Sequence, residues 1–219
     1  MKSGPVNFRV LLLVAGLSVS APPSRGDVLE SAPGGFTVRI TLSVQATPAD
    51  VYRALVRNVG DWWNPEHTFS GNAHNLSIDD KAMGCFCEKL ADQGSVRHLE
   101  VVYAAPGQSL RMTGGLGPLQ GIAASGSLTI ALARPADAAA PNATAPNATT
   151  PNATTVQVTY AVAGYQPTGM ESWAAPVDAM LTDQFIRFKT FVEKGSKGLK
   201  QPDHTRSALP NRQTRKPSR

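Results

Sequence analysis

The strongest constraint on this chain is the junction FTVRITLSVQATPADVYRALVRNVGDWW, residues 36–63, where one periodicity gives way to another within a few residues. Phe36, Val38, Ile40, Leu42 and Val44 alternate with polar residues, which predicts a half-buried strand. Thr47 suits an N-cap, Pro48 the first helical position, and Asp50 the positive end of the helix dipole. Val51, Ala54, Leu55, Val59 and Trp62 then form an apolar helical stripe, which Asn58-Val59-Gly60 ends or bends. A strand handed straight to a capped helix must share one core with it.

Beyond the junction the pattern becomes that of successive strands. The segments 75–79, 85–90, 96–104, 109–113, 125–133 and 155–163 read as strands, with turn signals at Asp92-Gln93-Gly94 and Pro106-Gly107. APVDAMLTDQFIRFKTFVEKG closes the series. Val177, Met180, Leu181, Gln184, Phe185, Phe188 and Val192 keep a 3.6-residue period up to Gly195. The order strand, helix, antiparallel strands and long helix predicts an α+β protein whose curved sheet is covered by its last helix. Curvature would leave a cavity between sheet and helix, where small ligands bind.

In its opening motif, strand series and closing helix, the chain resembles the START-like helix-grip superfamily, also called SRPBCC, over residues 36–194. The resemblance is to the polyketide cyclase/dehydrase-like and Hsp90-ATPase-activator-like branches. It implies a helix-grip fold. It leaves function open among ligand binders, cyclases, hydrolases and co-chaperones, because fold does not fix function.

The ends differ in character from this body. Lys2 and Arg9 precede an apolar run from Val10 to Val19 and small residues at Ser18, Ser20 and Ala21, the pattern of a secretory signal peptide. The run is shorter than the roughly 20 residues that span a bilayer. Residues 1–26 are therefore expected to be signal peptide and spacer, 27–35 a linker, and the mature protein exported without a stable membrane anchor. Residues 195–219 carry seven Lys/Arg and one Asp and read as a disordered basic tail, whereas 27–194 holds 11 basic and 15 acidic residues. A mildly acidic body is not a nucleic-acid-binding domain. Residues 135–154 include PNATAPNATTPNAT, a low-complexity insertion in a hairpin loop whose Asn142, Asn147 and Asn152 are also glycosylation acceptors in form.

The cysteines, Cys85 and Cys87, stand in GCFCEKLADQGSVRHL, residues 84–99. A hairpin about Ala91–Gly94 sets Glu88 opposite Arg97, Cys87 opposite His98 and Phe86 opposite Leu99. That register puts Cys85, Cys87 and His98 on the outer face, and Phe86, Glu88, Arg97, Leu99, Val101 and Tyr103 on the concave one. Three readings of the cysteines stay open. Two strand residues stand about 6.6 Å apart, long for a disulfide without a kink. Structural zinc sites favour a wider Cys spacing. Two small buried thiols fit the spacing without adjustment.

The candidate ligand contacts are Trp62, Trp63, His67, Glu88, Arg97, Arg111, Tyr160 and Tyr165. Adjacent tryptophans on a helix point about 100° apart, leaving one free for a cavity mouth. His67 falls in a loop, Arg111 opens the glycine-rich RMTGGLGPLQG, and the two tyrosines lie on or just beyond the last strand. No nucleophile elbow, His-Glu-x-x-His or phosphate loop is present. The reading is a hydrophobic or amphipathic small-molecule binder with no cofactor or metal and no specified protein partner. Two alternatives stand beside it: a cyclase- or hydrolase-type enzyme using His67 or His98 as base, and a co-chaperone-like interaction module.

Overall fold

The computed structural model describes residues 25–134 and 152–198. The apolar run of the signal-peptide reading, most of the low-complexity insertion with Asn142 and Asn147, and the tail beyond 198 lie outside the described residues. Eight antiparallel strands form one curved sheet in the order β1-β2-β8-β7-β6-β5-β4-β3. They are β1 (Arg25–Ala32), β2 (Gly35–Val44), β3 (Leu76–Ile78), β4 (Cys85–Lys89), β5 (Ser95–Ala105), β6 (Ser109–Gly114), β7 (Ala123–Ala133) and β8 (Thr154–Tyr165). Among the described residues the α-helices are α1 (Pro48–Arg57), α2 (Val59–Trp62) and α3 (Ala174–Gly198), the last running past the expected stop at Gly195 into the segment expected as tail. This is the helix-grip arrangement expected from the sequence.

The junction behaves as its chemistry predicts. Along β2, Phe36, Val38, Ile40, Leu42 and Val44 are all buried. The Thr47 hydroxyl accepts from the Asp50 amide at 3.2 Å, and the Asp50 carboxylate in turn accepts from that hydroxyl at 2.7 Å. The Asn58 amide caps α1 by donating to the Ala54 carbonyl, and the chain turns into α2 there. The stretch expected as a linker is instead mostly strand: β1 pairs with β2 through a short turn and forms one edge of the sheet. Alternation is weak there, since Val28 and Leu29 are both substantially exposed. The β1–β2 register slips between Val28 and Glu30, and the extra residue breaks the alternation there.

The long helix α3 lies across β1 and β2 and touches α1 and α2. Its buried side chains Leu181, Phe185, Phe188 and Val192 meet the concave face of the sheet in one continuous core. Phe86, Leu99, Leu110, Met112 and Tyr160 reach into the same space from β4, β5, β6 and β8, each 2% exposed or less. The grip is thus filled by side chains over most of its length, and the expected cavity is reduced to a cleft at one end.

Candidate functional site

The cleft, about 160 Å³, opens between the loop after α2, the loop between β6 and β7, and the outer end of the sheet beside α3. One wall is the segment 63–70, fixed at several points. The Asn64 amide donates to the Gln184 side chain at 2.8 Å, and the Trp63 indole donates to the His67 carbonyl at 3.0 Å. The Asn64 carboxamide oxygen accepts from the Glu66 amide and so starts the single helical turn Pro65–His67. The opposite wall is Leu116, Gly117 and Pro118, and Met180 of α3 closes one side. Tyr160 holds the Leu116 wall from beneath: its hydroxyl donates to the Gly114 carbonyl at 2.8 Å and accepts from the Leu116 amide at 3.0 Å. Burial pushes that hydroxyl's pKa up to about 12, so it stays protonated and able to donate.

The floor is aromatic, with one polar group. Phe86 lies edge-on to Trp63 at 5.2 Å and beside the His98 ring at 5.2 Å. Phe69, 57% exposed, stacks over His98 at 5.8 Å with the planes 15° apart. Behind His98 sits Glu88, only 1% exposed. One Glu88 oxygen accepts from the Ser70 amide at 2.5 Å; the other accepts from the Phe69 amide at 3.1 Å and lies 3.0 Å from His98 Nε2. Burial raises the Glu88 carboxyl, but the hydrogen bonds from Ser70, Phe69 and His98 outweigh it and hold the carboxyl below the usual range. Burial also pulls the His98 imidazole below its ordinary value, against the opposing pull of Glu88. At neutral pH the pair is a carboxylate and a neutral imidazole. Only Nε2 can then carry the proton toward Glu88, which leaves a lone pair on Nδ1. Nδ1 has the Gln120 amide nitrogen at 3.5 Å, a marginal contact from an exposed side chain.

His98 reaches the floor because the expected register is broken. Cys85 pairs with Glu100 and Phe86 with Leu99, but Cys87 pairs with Arg97 and Glu88 with Val96. His98 is the extra residue of a β-bulge, so it and Leu99, consecutive in sequence, both face inward. The expected Glu88–Arg97 pair is therefore incorrect: Arg97 points outward and bonds Glu100 at 2.6 Å. A second irregularity between Val101 and Tyr103 turns Tyr103 outward as well. The reading of two free thiols is also overturned. Cys85 and Cys87 are joined by a disulfide on the outer face, with Cα atoms 5.3 Å apart, closer than a regular strand allows. The cysteines thus bond each other on the face opposite His98.

Of the expected contacts, the structure brings Trp63 and His67 to the cleft wall and Glu88 to its back. Trp62 is in the core against Phe185 and Phe188. The two tryptophans do not diverge as a helix would require, because α2 ends at Trp62 and Trp63, already extended, turns back inward. Arg111 lies on the outer face, bonded to Thr129 and set over the Tyr103 ring. Tyr165 is 71% exposed, and Tyr160 supports the wall without lining it. Sequence reasoning passed over Phe69 and Met180 as site residues. An aromatic inside the polar loop EHTFSG was a usable signal for the first, and a position one turn before Gln184 for the second.

No protein-family description matches the sequence, and no curated protein matches it. The similar solved structures are distant. A protein from Rhizobium leguminosarum is 14% identical with a TM-score of 0.49, the match covering 79% of this chain and 99% of the other. A protein from Mesorhizobium loti is 13% identical with a TM-score of 0.45, over 72% and 97%. Ara h 8.0201 is 12% identical with a TM-score of 0.46, over 74% and 99%. Likenesses at this level carry no information on ligand or activity.

Proposed function

We propose that the protein binds a small hydrophobic or amphipathic molecule in the cleft floored by Phe86 and His98, and that it does so outside the cytoplasm. The observation that carries the reading is the cleft itself: a largely aromatic and aliphatic lining, with Glu66, His67 and Thr68 on the 63–70 wall, around one buried, oriented imidazole. Sites of that make-up obtain affinity from apolar burial, about 25 cal/mol per Å², and orientation from a few polar groups. The Cys85–Cys87 bridge supports export, since such bonds persist in oxidising compartments. So does the charged and apolar pattern of residues 2–21.

A second reading has one specific observation in its favour. A carboxylate fixing an imidazole is also how enzymes orient a general base, so turnover of the bound molecule through His98 is the alternative. Benzene titrated into the full chain tests the first reading. The methyl signals of Leu76, Leu116 and Met180 should shift together while those of the distant Val28 and Leu132 stay in place. If the three respond neither to benzene nor to its hydroxylated counterpart, phenol, the cleft is not a binding site.

A further inference from the structure

Resting on that reading, we infer that the cleft takes a neutral, single-ring molecule carrying one hydrogen-bond donor, of the phenol class, with the donor pointed at His98 Nδ1. Size limits the ligand to one ring. About 160 Å³ is well under the roughly 300–1,000 Å³ of sites for drug-sized ligands, and close to an engineered cavity of about 150 Å³ that takes up benzene. The volume that a larger ligand would need within the grip is occupied by Phe86, Met112, Tyr160, Phe185 and Phe188, each 2% exposed or less.

Polarity selects the donor. His98 is 4% exposed and its Nε2 is committed to Glu88, so Nδ1 is the ring atom left to meet a ligand. It presents a lone pair, because a carboxylate can only accept and therefore fixes the proton on Nε2. A buried acceptor with a marginal partner is costly until a donor meets it. Gln120 is exposed and belongs to the same turn as the cleft wall, so its amide can swing away as a ligand donor arrives. An anionic ring acid is excluded, since its carboxylate would meet that lone pair with the buried Glu88 charge close behind.

The test compares phenol, benzene and benzoate on the full chain by calorimetry and by long-range proton–nitrogen spectra of His98. Phenol should bind about three- to tenfold more tightly than benzene, the worth of one neutral hydrogen bond. The His98 Nδ1 resonance should move with phenol and not with benzene, and benzoate should not bind. In Gln120→Ala the preference for phenol should persist or grow. Equal binding of phenol and benzene would overturn the donor assignment while leaving the cleft reading intact. Tighter binding of benzoate would overturn the assignment of Nδ1 as acceptor, and loss of the preference in Gln120→Ala would reassign the partner to Gln120. Failure of both benzene and phenol to bind would sink the proposed function along with this inference.

Discussion

At the scale of single residues, Glu88 organises more of the site than any residue that touches the cleft. Its oxygens hold the amides of Phe69 and Ser70 and the ring of His98, so one side chain sets the loop, the aromatic cover and the imidazole tautomer. Glu88→Ala would strand two amides and a buried ring nitrogen. A loss of about 3 kcal/mol is expected in urea unfolding, with phenol affinity falling as Phe69 and His98 lose their anchor. Glu88→Gln keeps one acceptor oxygen but offers a second donor to groups that already donate, so it should recover only part of that loss. Tyr160 plays the corresponding part on the other wall. Tyr160→Phe leaves the Gly114 carbonyl and Leu116 amide without their partner. It should cost about 1–3 kcal/mol, read by the urea midpoint, and broaden the Leu116 methyl signals at the cleft.

At the scale of elements, the β4–β5 hairpin decides what the site contains. The alternation of Phe86 and Glu88, and of Leu99 and Val101, was legible in the sequence, and these four do face the core. The bulge at His98 was not, because alternation assumes that each residue on one strand faces one on the other. The long periodic stretches β2 and α3 were plain because many residues repeat the same signal, whereas one inserted residue repeats nothing. The β1 edge escaped notice for a related reason: it buries no regular face to read. The disulfide shares the hairpin, and its loop contains a single intervening residue, Phe86. Constraint of so short a loop removes little freedom from the unfolded chain, so Cys85→Ser with Cys87→Ser should cost no more than about 2 kcal/mol. Equilibrium unfolding of the double variant checks this. A much larger loss would mean that the bridge, and not the ladder and core, holds the bulge in place.

At the scale of the whole molecule, the buried pair ties stability to pH. His98 has a folded pKa below its unfolded value of 6.5, so as pH falls through 6.5 the unfolded chain takes up a proton that the folded chain refuses. Stability is complete above 6.5 and declines below it, until the folded ring protonates in turn. Glu88 acts in the same direction but later, because its folded pKa lies below 4.5: its contribution is present above 4.5 and lost as pH falls through the folded value. Asp178 opposes both at the acid end. Burial, and then the charge of Asp27, raise its pKa above 3.8, so stability recovers slightly as it protonates. The order of these titrations makes His98 the first contributor to acid loss among the three, with a slope of at most about 1.4 kcal/mol per pH unit. His98→Gln can still donate to Glu88 but cannot titrate. It should be less stable than the natural chain at neutral pH, yet lack that chain's decline between pH 6.5 and 4.5, as read from urea midpoints across the range. If the variant keeps the full decline, the early acid sensitivity belongs to other groups, and the neutral imidazole at the floor of the cleft is wrongly assigned.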